Sequence, residues 1–243
     1  MYILYDIVRS ENCGLCTMSA VPNYAGALPK KFQSKGRSQE FNETLKMKTL
    51  FRAVILAPSN AGKTNLALHI IKNSPNIYTH LHLIARNPDQ PIYHYLKEAL
   101  ESHITVYEAG IIPSVDEIKD NGGQQLVLID DYSSDKRLVR DMVSPYFIRG
   151  RHKGLSTLFL SHSWFALDKL VRLNSEYLFI LKANSARDMR LIVSDFTLDG
   201  VTIEKLMKAY QIATKDKGQM LMLDSVNGQL RMNFDRIINI DEL

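Results

Sequence analysis

The chain of 243 residues has only two cysteines, eight prolines and one tryptophan, and it has no strong excess of charge of one sign. Cys13 and Cys16 form a single CxxC with no second pair. A four-ligand zinc site would need further ligands, and His80 and His82 could supply them only by accident of folding. Two free thiols in a loose N-terminal arm are the expectation. No apolar run reaches the length of a membrane-spanning helix, and the acids in MYILYDIVRSENC come too early for a signal peptide. The expectation is a soluble protein of the cytosol or nucleus with no membrane partner. A net charge of +4 supports a polyanion partner only weakly. Its distribution is less even than its total. Lys30, Lys31, Lys35, Arg37, Lys46 and Lys48 form one basic stretch, and Lys136, Arg137, Arg140, Arg149, Arg151 and Lys153 form another.

Residues 1–47 show no sustained periodicity and read as an arm or small adaptor segment. From residue 48 the pattern changes. FRAVILA is a short run, apolar but for Arg52, of the kind found in strands covered on both faces. KTNLALHIIKN then reads as a helix, HLHLIA as a strand, YHYLKEALES as a helix and HITVYE as a strand. QLVLIDD, LSTLFLS and YLFILKA are three further strands, and residues 135–147 read as a helix bent or ended by Pro145. Near the end, Asn227-Gly228 between two strand-like runs predicts a hairpin. Alternating strands and helices of this kind predict an α/β fold with a mainly parallel sheet over residues 48–243.

The chemistry concentrates in APSNAGKTN, between the first strand and the first helix. It fits GxxxxGK[ST] except that Ala57 stands at the first glycine position. Pro58, Ser59, Asn60, Ala61, Gly62, Lys63, Thr64 and Asn65 would wrap a phosphate, with the backbone amides of Asn60 to Thr64 pointing into an anion nest at a helix N-terminus. Lys63 would reach the outer phosphates, and the Thr64 hydroxyl would ligate Mg²⁺. QLVLIDD adds two acids at a strand end. Asp130 is the expected Mg²⁺ partner, and Asp131 the base or water-positioning group. ATP and Mg²⁺ are the expected ligands.

The order of APSNAGKT, LVLIDDY, GRHKGLSTLFLSHSWF and LVRLNSEYLFILKAN resembles the genome-packaging ATPases of large DNA viruses, virophages and Polinton-like elements, within the FtsK/HerA superfamily. The likeness spans residues 48–196. It implies a RecA-like core, a homo-oligomeric ring, double-stranded DNA as the cargo and a capsid vertex protein as a partner. It further implies action at sites of virion assembly in the host cytoplasm or nucleus, or with the virion. Relatives end the strand after the acidic motif with a polar sensor, typically glutamine; here His162 stands there. The resemblance also implies a cation supplied by a neighbouring subunit, with Arg149, Arg151 and Arg172 as candidates. A cellular or conjugative DNA translocase, a nucleotide kinase and a nucleotide-binding scaffold without turnover stay open as alternatives.

Overall fold

A strand buried on both faces has no polar side to show, and the apolar runs of this chain become such strands. In the computed structural model, residues 40–182, 185–196 and 198–243 are described. Cys13, Cys16 and the basic stretch up to Arg37 lie outside them. Nine strands form one sheet: β3 (Arg52–Leu56), β4 (Tyr78–Ala85), β5 (Ile104–Val106), β6 (Gln124–Asp130), β7 (Leu155–Ser161), β8 (Tyr177–Ile180), β9 (Leu221–Asp224), β10 (Gln229–Met232) and β11 (Arg236–Ile237). Their order is β11-β10-β9-β8-β3-β7-β6-β4-β5. The six strands from β8 to β5 run parallel, and the last three by sequence add on antiparallel. This is the α/β fold that the sequence predicts.

Alternation along each strand divides two cores. Val54 and Leu56 of β3 pack on one face with Val127, Ile129, Phe159, Leu178 and Ile180. Ala53 and Ile55 face the other way, with Leu83, Leu128, Leu158, Leu160 and Phe179. Helices α1 (Lys63–Lys72) and α2 (Pro91–Leu100) cover the second face through Ala67, Ile70, Tyr93 and Leu96. The first face is covered by α3 (Lys136–Leu138), α4 (Ser144–Arg149), α5 (Lys169–Asn174), α6 (Ala186–Asp195) and α7 (Ile203–Ala213). No helix among the described residues is long and apolar enough to cross a membrane.

Pro145 neither ends nor breaks the helical stretch it interrupts. A π turn over Val139–Val143 joins α3 to α4, with Pro145 in the first turn of α4, where a missing N–H costs little. The Ser144 hydroxyl donates to the Val139 carbonyl, satisfying an acceptor that the irregular turn leaves over. The expected hairpin forms between β9 and β10. Asp224 Oδ1 accepts from the amides of Val226 and Asn227, and Gly228 takes φ +67°. Before the sheet, β1 (Phe41–Asn42) and β2 (Met47–Lys48) form a two-stranded ribbon whose Leu45 and Met47 are buried in the second core. Arg231 secures this ribbon, donating to the Lys46 carbonyl at 2.6 Å while pairing with the buried Asp224.

Candidate active site

Parallel strands end on one edge of a sheet, and the order β3-β7-β6 sets three chemically distinct ends side by side there. The phosphate-loop sequence leaves β3, His162 follows β7, and Asp130 closes β6. Ala57 remains in sheet register, its amide donating to the Ser161 carbonyl at 3.1 Å. Ala57 is fully buried and keeps a negative φ, so a methyl group fits where glycine is usual. Gly62 takes φ +98°, the conformation that demands glycine, immediately before α1. Lys63 begins α1, and Pro58 to Asn65 thus form the loop and helix start expected of an anion cradle.

Lys63 folds back over this loop. Its ammonium donates to the carbonyls of Ala57 at 2.9 Å and Pro58 at 3.1 Å, and lies 3.1 Å from His162 Nδ1. Burial lowers its proton affinity, and the charges of Asp130 and Asp131 partly restore it. An ammonium can only donate, so His162 Nδ1 accepts and its Nε2 carries the proton. That nitrogen lies 3.1 Å from Asp131 Oδ1. His162 therefore links lysine to aspartate in one continuous chain.

The two acids differ in environment. Asp130 is buried, and burial raises its carboxyl above the ordinary range despite a hydrogen bond from Tyr93 and the charge of Lys63. Asp131 is exposed, with φ +62°, a left-handed conformation that turns its side chain away from the strand direction. Arg86 donates from Nε to the Asp131 carbonyl at 2.9 Å, holding that turn, while its guanidinium lies over the Tyr132 ring. On the other side, the buried Asp188 of α6 accepts from the Ser163 hydroxyl at 3.0 Å and the Phe165 amide at 2.8 Å. Those bonds fix the turn that carries His162.

Tyr93 is the site residue that the sequence does not announce. Its hydroxyl donates to Asp130 Oδ2 at 2.6 Å and lies near the Thr64 side chain. Burial and the neighbouring carboxylates push its phenol far up, so it stays a donor. Within YHYLKEALES it looks like any buried helical aromatic, and its position depends on where α2 packs. Thr64, Tyr93 and Asp130 form a row of oxygen groups, the donor type that magnesium prefers. Among the described residues no cluster of three His, Cys, Asp or Glu side chains would hold a metal unaided. The residues present fit an ion that keeps waters and shares phosphate oxygens, as magnesium does.

The three arginines lie elsewhere. Arg149 ends α4, and Arg151 sits in the 3₁₀ turn before β7. The seven residues of β7 separate them from His162, about 23 Å at 3.3 Å per residue. Arg149 pairs with Asp116 at 3.1 Å on the surface, while Arg151 is exposed with no ion pair among the described residues. Arg172 is mostly buried, its Nε 2.7 Å from Asp195 Oδ2 and its Nη1 donating to the Leu167 carbonyl. Trp164 Nε1 donates to the same Asp195 oxygen at 2.8 Å, so Arg172 joins α5, α6 and the turn after β7.

The sequence pattern of one family, described as the poxvirus A32 protein, matches residues 38–238. No curated protein matches the chain by sequence. Among solved structures, the genome packaging NTPase B204 of Sulfolobus turreted icosahedral virus 2, in complex with ATP-gammaS, is similar with a TM-score of 0.58 at 13% identity, over 79% of this chain and 100% of that one. B204 of Sulfolobus turreted icosahedral virus, a DNA-packaging ATPase, has a TM-score of 0.56 at 13% identity, over 74% and 95%. The cytoplasmic domain of the Thermomonospora curvata Type VII secretion ATPase EccC has a TM-score of 0.50 at 10% identity. That likeness covers 79% of this chain and 26% of EccC. At these identities the structures share a fold with this chain.

Proposed function

The chain belongs to the poxvirus A32 protein family, and from that membership and the chemistry of its strand ends we propose that it is an ATP-hydrolysing motor that packages a viral DNA genome. The observation that carries this reading is the chain Lys63–His162–Asp131 beside Asp130 and Tyr93, on three adjacent strand ends. A kinase needs a second substrate pocket for its acceptor. Here an exposed acid stands beside the lysine, suited to position a water. The likeness in fold to the packaging NTPase B204 agrees with the same reading.

In this proposal the amides of Asn60 to Thr64, at the N-terminus of α1, cradle the phosphates. Lys63 exchanges the carbonyls of Ala57 and Pro58 for phosphate oxygens. Thr64 and Asp130 would hold magnesium, which when bound supplies neutralising charge at the phosphate oxygens. Asp131 orients the attacking water and takes up its proton. His162 donates to Asp131 and accepts from Lys63, and so reports to one what the other contacts. Arg149 and Arg151 lie too far away to serve their own site, so they suit a neighbouring subunit's nucleotide in a ring, or DNA phosphates. Double-stranded DNA is the cargo, the assembly acts where virions form, and a capsid vertex protein is its docking partner.

The test is steady-state hydrolysis by the purified chain with and without linear double-stranded DNA, alongside a mass measurement of the assembly. Magnesium-dependent turnover that rises several-fold with DNA, in an oligomer, is expected. Absence of turnover in every oligomeric state, or turnover indifferent to DNA, would overturn the motor reading.

A further inference from the structure

The edge that carries the hydrolysis chemistry also carries a basic cluster that this chemistry does not use. Lys136 follows β6, Phe165 follows β7, and Arg187 lies in the first turn of α6, the helix after β8. These strands are parallel, so their ends lie on one edge of the sheet. Phe165 is 40% exposed, a large apolar ring left in water. The Arg187 guanidinium carbon lies 3.4 Å from the ring centroid, and the Lys136 ammonium 5.8 Å from it.

Two cations beside one ring repel each other, and no acid answers them. Neither Arg187 nor Lys136 forms an ion pair or hydrogen bond with a described residue. Arg190, three residues further along α6 and also exposed, is likewise unpaired among the described residues. The acids nearest in the chain are engaged elsewhere: Asp135 caps α3, Asp168 caps α5, and Asp188 is buried. Helix stability does not explain Arg187 either, because the first turn of a helix favours acids over cations.

The ring is fixed from beneath. Asp188 Oδ1 accepts from the Phe165 amide at 2.8 Å and from the Ser163 hydroxyl at 3.0 Å. A guanidinium stacked on a fixed ring loses little further freedom on binding. Its N–H donors stay in the guanidinium plane, open to a bidentate contact with a phosphate.

We propose that Lys136, Phe165, Arg187 and Arg190 form a surface that grips the phosphate backbone of duplex DNA, with the stacked guanidinium as its preset clamp. It rests on duplex DNA being the cargo, and it puts that cargo three residues along the chain from His162.

The test is fluorescence anisotropy of a short labelled duplex, titrated with the full chain, magnesium and ATP-gammaS over a range of salt concentrations. Arg187→Ala and Lys136→Ala should each weaken binding at least threefold at low salt. Each should also lower the slope of log affinity against log salt by about 0.9, the value of one phosphate contact. Phe165→Leu keeps both charges and removes the ring, so affinity should fall while the slope stays. Lys97 is exposed on α2, which covers the opposite face of the sheet, and Lys97→Ala should bind as the wild type does. Wild-type affinity and slope in both Arg187→Ala and Lys136→Ala, or an equal loss in Lys97→Ala, would overturn the surface while leaving DNA as the cargo. Absence of duplex binding by the wild-type chain would overturn the cargo, and the surface with it.

Discussion

The hydroxyl of Tyr93 lies 2.6 Å from Asp130 Oδ2, so a residue of helix α2 reaches across the sheet edge to a carboxylate at the tip of β6. The same hydroxyl lies near Thr64, the other group expected at the metal. Tyr93 therefore holds the Asp130 carboxylate beside Thr64 before any ligand arrives.

Tyr93→Phe removes only that hydroxyl. A hydrogen bond to a charged group contributes roughly 1.5–3 kcal/mol, and no other side-chain donor hydrogen-bonds the buried Asp130 carboxylate among the described residues. The variant should lose about 2 kcal/mol of stability in chemical denaturation. It should also need more magnesium for half-maximal hydrolysis, since Asp130 loses the donor that fixes its carboxylate. An unchanged magnesium requirement would assign Tyr93 a purely structural role.

Asp130→Asn separates stability from function. Burial raises the Asp130 carboxyl, so between the ordinary aspartate value, about 3.9, and the raised one the folded chain binds more protons than the unfolded chain. Stability therefore falls as pH rises through that window, and the ionised side chain is a cost at neutral pH. The asparagine variant should melt higher than wild type near pH 7, with the gap closing in acid. Its hydrolysis should be lost. A lower melting temperature at neutral pH would contradict the assigned cause.

Much of this arrangement is legible in the sequence because it is local. FRAVILA, QLVLIDD and LSTLFLS name their own strands by short, mostly apolar runs, and APSNAGKTN names its loop by chemistry. Strand order is not local. Nothing in the text says that β3 inserts between β7 and β8, yet that insertion alone brings His162 to Lys63. Tyr93 escapes notice for the same reason: its function depends on α2 packing so that its hydroxyl meets Asp130 at the tip of β6. Pro145 misleads because a π turn absorbs the break that a proline usually makes.

His162→Gln and His162→Ala test the link between lysine and aspartate. Glutamine can accept from Lys63 and donate to Asp131 with one side chain, as the imidazole does. Its variant should hydrolyse ATP within about threefold of wild type, whereas alanine should lose roughly 100-fold, the lower end for a group that assists proton transfer. Equal loss in both would mean that the ring's shape, not its hydrogen bonds, is what the site uses.

The arginines divide by burial, and so should their variants. Arg172 is only 13% exposed and pairs with Asp195, 9% exposed, so Arg172→Ala strands a buried carboxylate that also holds Trp164. Breaking such a pair costs about 3–5 kcal/mol, and the variant should melt well below wild type whatever its activity. Arg149→Ala and Arg151→Ala remove exposed side chains, and each should fold with stability within about 0.5 kcal/mol of wild type. If either serves a neighbour's nucleotide, its homogeneous assembly should lose turnover by at least about 100-fold, the scale for a charge aimed at the transition state. Mixing it with Lys63→Ala should then restore part of the rate, because some interfaces pair an intact arginine with an intact lysine. An inactive variant that mixing never rescues would place its arginine on the DNA instead, and salt-dependent DNA affinity would record the loss of a phosphate contact.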